Sequence, residues 1–165
     1  MIEVRPVNNT DRNKIFQFIK KHWDTEIFVC HGITYRPSEL PGFIAYQKDN
    51  PEEWLGLVTY TINNNECEIV TINAVNQYEG IGTTVLQFVK QTAIEASCKR
   101  LWLITTNDNI DALRFYQKRG FIINSINCGA VNESRKIKSE IPEIGEYGIP
   151  IRDEIEFEMM IGNGS

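Results

Sequence analysis

No apolar run in this sequence approaches the roughly 18 residues that a membrane-crossing helix needs, and the N-terminus lacks the basic-then-apolar layout of a signal peptide. The expectation is a cytoplasmic protein with no membrane partner. No Cys-x-x-Cys pair occurs either. Cys30, Cys67, Cys98 and Cys128 stand about thirty residues apart, which suits neither a disulfide framework nor a zinc site. Four reduced thiols and no metal are expected. A basic excess is also missing: the formal net charge of −5 argues against a nucleic-acid partner and is compatible with a cationic one such as an amine. Internal repeats and low-complexity segments are absent. What is present is an ordinary globular composition, 42% hydrophobic and 24% charged over 165 residues. That length predicts a single domain, 1–165, with one sizeable core.

Taken in order, Ile2-Glu3-Val4-Arg5 reads as a strand stopped by Pro6. Asn8, Asn9 or Thr10 can cap the following helix, and Asp11 supplies the negative charge favoured in a first turn. Ile15, Phe18, Ile19 and His22 recur at helical spacing and mark its buried face, His22 as a structural histidine rather than a base. Residues 23–41 are punctuated by two prolines and Gly32, predicting a second short helix or a loop bordering a groove. Three strands then follow, Phe43–Gln47, Trp54–Ile62 and Glu66–Ile72, joined by turns at Lys48–Pro51 and Asn63–Asn65. Short turns imply an antiparallel meander. Val85, Val89, Ala93 and Ala96 trace a helical stripe broadened by Leu86 and Phe88. Leu101-Trp102-Leu103-Ile104 is a continuous apolar run, as expected of a strand buried on both faces, and strand–helix–strand implies a parallel crossover.

At the centre stands Gln77-Tyr78-Glu79-Gly80-Ile81-Gly82, between the strand ending at Ile72 and the helical run from Thr83. A glycine-bearing turn into a helix N-terminus presents backbone N–H groups at the positive end of the helix dipole, a seat for an anion such as a pyrophosphate. Two familiar loops are ruled out by what is missing. Thr83 and Thr84 stand where a triphosphatase loop needs Lys and then Ser or Thr, and Val85 stands where a dinucleotide fingerprint needs its third glycine. The remaining pattern, Gln/Arg-x-x-Gly-x-Gly/Ala, resembles the coenzyme A loop of the GCN5-related N-acetyltransferase (GNAT) family. About thirty residues on, Asn109-x-x-Ala112-x-x-Phe115-Tyr116, followed by Gly120-Phe121, resembles that family's second coenzyme-binding element. The resemblance covers roughly residues 1–128.

The resemblance implies a mixed α/β, GNAT-like fold. Its central sheet would have six to seven strands, mostly antiparallel, with a splayed parallel pair (β4/β5 in the family's order) and helices on both faces. Acetyl-coenzyme A would be the co-substrate. Backbone groups of Ile72 and Asn73 would meet its pantetheine, the loop from Gln77, Tyr78, Glu79, Gly80, Ile81 and Gly82 to Thr83 its pyrophosphate, and Asn109, Ala112 and Phe115 would flank the arm. Tyr116 stands at the family's position for the acid that protonates the leaving thiolate; its alternative reading is a packed core tyrosine. Glu66 and Glu68 alternate onto one strand face together with Val70 and Ile72, and Glu68 matches a strand glutamate that some members use as a base. Otherwise Glu68 is a solvated strand residue and water chains serve instead.

Toward the C-terminus, the basic run Arg135-Lys136-Ile137-Lys138 reads as a solvated face or a neighbour of the coenzyme's phosphates. Ile155, Phe157 and Met159 alternate with glutamates as a half-buried strand, and 162–165 reads as a frayed tail. Segments 129–147 and 23–41 are the places to look for acceptor specificity. Two functions from different classes follow. One is an N-acetyltransferase acting on a small-molecule amine or a peptide or protein amine, with a homodimer left open. The other is a non-catalytic coenzyme A sensor or partner-binding module.

Overall fold

Short polar turns divide the chain into nine strands and four α-helices among the described residues: β1 (Ile2–Pro6), α1 (Arg12–Trp23), β2 (Phe28–Cys30), β3 (Ile33–Tyr35), β4 (Gly42–Gln47), β5 (Asn50–Asn63), β6 (Glu66–Ala74), α2 (Ile81–Glu95), β7 (Arg100–Thr106), α3 (Ile110–Lys118), β8 (Ile122–Asn127), α4 (Ala130–Ile137) and β9 (Glu154–Met160). The computed structural model describes residues 1–23, 28–75 and 80–162, the side chains of His22 and Trp23 excepted. The expected buried His22 and tail residues 163–165 therefore lie outside the described residues. The main sheet has seven strands in the order β1-β4-β5-β6-β7-β9-β8, and β2 and β3 form a separate hairpin. Pairs β1/β4, β4/β5, β5/β6 and β8/β9 are antiparallel. The fold is thus mixed α/β with a mostly antiparallel sheet. The numbering of the expected splayed pair needs correcting. Here β4 and β5 are antiparallel neighbours, because the hairpin β2–β3 adds two strands ahead of the segments in question, which are β6 and β7. Between them α2 is a helical crossover of the kind that joins parallel strands.

By its internal contacts the chain divides into two compact units, Met1–Ile27 with Arg36–Leu101 and Ile161–Ser165, and Phe28–Tyr35 with Trp102–Met160. In the first, helix entry is built by Asn8 and Asp11. The Asn8 side chain accepts from Thr10 N at 2.9 Å, while Asp11 accepts from Asn8 N at 2.8 Å, a reciprocal cap. Arg5 clamps Asp11 with two bonds of 2.7 and 2.8 Å, and this hydrogen bonding holds the carboxyl below its ordinary pKa. Downstream, Ile15 and Ile19 of α1 are buried, each contributing about 1.5–3 kcal/mol of apolar transfer energy.

Register decides which helix covers which face. Ala45 pairs with Gly56 but Tyr46 with Trp54, so Leu55 is an extra residue and Trp54 turns to the face opposite Gly56. Phe18 of α1 lies 6.0 Å from the Trp54 ring, with Lys14 Nζ 4.6 Å over it. Phe88 of α2 lies 5.5 Å from Phe43, on the Gly56 side. Helices therefore flank both faces of this unit, as expected. The stripe on α2 is Ile81, Val85, Leu86, Val89 and Ala93; Phe88 is 42% exposed and Ala96 is the exposed C-cap.

Three local readings change. The turn expected at Lys48–Pro51 contracts to Lys48 and Asp49, since Gln47 already pairs with Asn50. Segment 23–41 holds the β2–β3 hairpin, turning at His31 and Gly32 with φ of 42° and 79°, and a 3-10 turn at Pro37–Glu39. In β7 only alternate residues, Leu101 and Leu103, are buried, while Trp102 faces the His31 ring at 5.4 Å. The turn at Asn64–Asn65, both at positive φ, matches its expectation.

At Gly56 α2 approaches the sheet too closely for a side chain. A Cβ there would lie 2.4 Å from Ile81 Cγ2. Gly56→Val should force the first turn of α2 outward and cost about 1–3 kcal/mol, read as a lowered midpoint in thermal melts. Gly80→Asn, in open space at a φ of 86° that Asn tolerates, should move the midpoint less. Equal midpoints for Gly56→Val and the parent would contradict this packing.

Candidate active site

The residues singled out on β6 are sorted by a bulge. Tyr60 pairs with Ile69 and Thr59 with Thr71, leaving Val70 without a partner on β5. Because side chains alternate, one inserted residue reverses the phase of the strand. Upstream, Glu66 and Glu68 share the face of Asn63 and Thr61; downstream that same face carries Thr71 and Asn73, opposite Thr59 and Leu57. The Thr59 and Thr71 hydroxyls meet there at 2.6 Å. The expected grouping of Glu66 and Glu68 with Val70 and Ile72 is therefore corrected. Ile72 lies on the other face, with Cys67 and Ile69.

The two glutamates differ. Arg100 donates to Glu66 at 3.1 Å, whereas Glu68 is only 5% exposed. Glu68 is thus no solvated strand residue. Asn73 is also buried, and among the described residues its Oδ1 is the buried side-chain polar atom that lacks a hydrogen-bond partner. Such an atom is costly unless something else completes it. Cys67, beside Ile69 in the core, has its thiol pushed up to about 12, first by burial and then by the nearby Cys98; Cys98 is raised by burial too. None of the four cysteines is in a disulfide, and these two are protonated and unreactive.

Past β6, Val75 N returns to Leu55 O at 2.8 Å. Gln77, Tyr78 and Glu79 lie outside the described residues. The chain re-enters at Gly80, the N-cap of α2 at φ 86°, around whose missing Cβ nothing stands within 4 Å. Thr84 N and Oγ1 both bond Gly80 O, at 2.9 and 2.8 Å, so Ile81, Gly82 and Thr83 precede the first intrahelical bond. This local geometry suits an anion in both dipole and space.

The second unit carries the other motif. Asn109 caps α3: its Oδ1 accepts from Ala112 N at 3.3 Å, and its Nδ2 donates to Thr105 Oγ1 at 3.2 Å. Phe115 is covered by the Arg119 guanidinium, 3.8 Å from the ring centroid. Tyr116 is 4% exposed, enclosed by Phe115, Phe121 and Phe157 at 5.1, 5.4 and 5.9 Å. Burial raises its pKa, so the phenol keeps its proton through the neutral range. Among the described residues none bonds its hydroxyl.

Asn107 and Asp108, the two residues ahead of the α3 cap, bond outside that helix. Asn107 bonds Pro150 O at 2.9 Å and accepts from Arg152 N and Asp153 N at 2.9 and 3.0 Å. Asp108 accepts from Glu146 N at 2.9 Å and Thr106 Oγ1 at 2.5 Å. The surplus was visible: three short polar residues stand in a row where one cap suffices. Arg135 is likewise spent internally, donating to the carbonyls of Ile141, Pro142 and Ile151 at 3.3, 2.6 and 2.8 Å. Lys136 pairs with Glu133 at 3.0 Å. The basic run is mostly occupied within its own unit.

Comparison with known proteins agrees with these motifs. The Acetyltransferase (GNAT) family model matches residues 10–121. The uncharacterized protein YdhI of Bacillus subtilis (strain 168) is 43% identical over 162 residues, covering 98% of this chain and 99% of its own. Among solved structures, Arabidopsis thaliana NAA60 in complex with a bisubstrate analogue has a TM-score of 0.71 at 20% identity, covering 100% of both chains. A GNAT family acetyltransferase from Elizabethkingia anophelis with acetyl-CoA bound has 0.66 at 23%, covering 96% of this chain and 97% of its own. With a family model spanning both motifs and a relative alike over nearly its whole length, this chain belongs to the GNAT acetyltransferase family.

Proposed function

We propose that this protein is an acetyl-coenzyme A-dependent N-acetyltransferase that acetylates a primary amine by direct attack within a ternary complex. It would act as one acetyltransferase domain over residues 1–165, on a small-molecule, peptide or protein amine. The observation that carries the reading is Tyr116, its ring packed in the core and its hydroxyl kept protonated and without a partner among the described residues, so that the oxygen is not enclosed with the ring. A tyrosine needed only for packing would serve as well as phenylalanine.

The residues present fit the coenzyme. Asn73 supplies an orphaned buried oxygen on β6, and Gly80 opens the start of α2 at a φ that leaves the turn uncovered. In this reading Ile72 and Asn73 hold the pantetheine, residues 77–83 hold the pyrophosphate, and Asn109, Ala112 and Phe115 flank the arm. When bound, acetyl-coenzyme A supplies an activated acyl group and a thiolate leaving group. Tyr116 holds the proton that the departing sulfur needs. Glu68, buried on its strand, takes the proton that the attacking amine must lose. Glu66, ion-paired with Arg100, is left out of that role.

Two measurements test the reading. Gly82→Asp sets a carboxylate among the first-turn residues; Asp suits a helix N-terminus, so the variant should fold, yet calorimetric acetyl-coenzyme A binding should be abolished. Unchanged affinity would remove the loop from the coenzyme site. Tyr116→Phe keeps the ring and deletes the hydroxyl. Turnover should fall about 10²- to 10⁴-fold, with coenzyme affinity and melting midpoint nearly unchanged. A loss under about threefold would reduce Tyr116 to packing. Coenzyme binding with no turnover on any amine would favour the sensor reading.

A further inference from the structure

The β2–β3 hairpin, where the sequence expected a helix or loop, turns tightly at His31 and Gly32. That turn aims the His31 N–H at Glu154, the first residue of β9, and the amide lies 3.3 and 3.4 Å from its two carboxylate oxygens. The His31 ring lies 5.4 Å from the Trp102 ring and 5.8 Å from the Tyr35 ring, and the Tyr35 hydroxyl is 3.1 Å from His31 Nε2. All four residues belong to the second unit.

Glu154 is only 4% exposed. Among the described residues its hydrogen-bond donor is that one shared amide, at distances beyond the roughly 2.7–2.9 Å of a strong charge-assisted bond. A buried carboxylate so thinly satisfied is expensive, and an apolar residue would serve the strand better: Ile155 and Phe157 already fill the core from β9. Burial raises its pKa more than the His31 amide and the His31 charge lower it, so the carboxylate is under-stabilised where it stands. Around the His31 ring, the half-buried rings of Tyr35 and Trp102 add π-faces, which attract ammonium groups. Carboxylate and aromatic faces together are the chemistry that selects an alkylammonium over a neutral group of the same shape.

We infer that Glu154, with His31, Tyr35 and Trp102, forms an ammonium-recognition subsite, so that the acceptor is a cationic alkylamine bearing a positive group besides the amine acetylated. This rests on the acetyltransferase reading for its purpose, but not for its binding chemistry.

The test is calorimetric titration of the intact protein with 1,5-diaminopentane and with its neutral counterpart 1,5-pentanediol. The diamine should bind and the diol should not. Glu154→Gln, close in shape, should weaken the diamine at least about tenfold, and Trp102→Leu should weaken it too. Wild-type protein that binds neither probe, or both alike, overturns the inference, as does a folded Glu154→Gln variant with undiminished affinity. If Glu154→Gln fails to fold, the diamine–diol contrast and Trp102→Leu decide. Titrating acetyl-coenzyme A into the same samples separates the two readings: loss of coenzyme binding in the parent protein would end the acetyltransferase proposal and leave the ammonium result standing.

Discussion

Val70 has no partner on β5, and much of the candidate chemistry depends on that one inserted residue. A strand of strict alternation would put Glu68 and Ile72 on one side and Asn73 on the other. The bulge reverses this, so Glu68, Thr71 and Asn73 share a face, with Ile72 behind them against the α2 side. The sheet tolerates the defect because its ladder resumes at once, with Thr71 on Thr59 and Ile72 on Val58. The buried Thr59–Thr71 hydroxyl pair satisfies the polar atoms nearest the break. Gly56 completes the arrangement: without a Cβ it lets Ile81 reach the sheet, and so fixes where the first turn of α2 begins.

Polar clamps hold the C-terminal segment of the second unit. Segment 138–153 has little regular structure, yet Asn107, Asp108 and Arg135 tie its backbone down at Ile141, Pro142, Glu146 and 150–153. Each such bond is worth about 0.5–1.5 kcal/mol net, and more where the partner is charged. Gly145 sits so close to Asp108 that a Cβ would come within 2.1 Å of Oδ2. Tyr147, at φ 58°, reaches Asp111 at the start of α3 with a 2.7 Å bond. Residues 138–147, part of the segment 129–147 that the sequence marks for acceptor specificity, are therefore tied directly to the start of the motif helix.

The elements that were legible in the sequence are those whose signals are local. The meander shows in its β-branched runs and polar turns, and the start of α3 in Asn109 with Ala112, Phe115 and Tyr116 at helical spacing. The glycine turn into α2 was legible for the same reason, since φ 86° at Gly80 is a demand that glycine meets. What escaped was set by register and long-range pairing. Nothing in Ile69-Val70-Thr71 announces which residue loses its partner, so the expected grouping of Glu68 with Val70 and Ile72 does not hold. Trp102 and Ile104 look like core in a run of four apolar residues, yet the strand is only half-buried because Trp102 turns to a hairpin seventy residues earlier. Glu154, Asn107 and Arg135 act on backbone groups 123, 45 and 16 residues away, separations at which no sequence pattern carries the pairing.

The central claim is that this chain moves an acetyl group from acetyl-coenzyme A to an amine. The most direct measurement is thiol release by the wild-type protein, with acetyl-coenzyme A and a panel of amines and peptides, the acetylated product being identified by mass. The account predicts release that depends on the acceptor, one free thiol for each acetyl group found on an amine nitrogen. Release that is the same with and without any amine, or no release from a protein that binds the coenzyme, would contradict it.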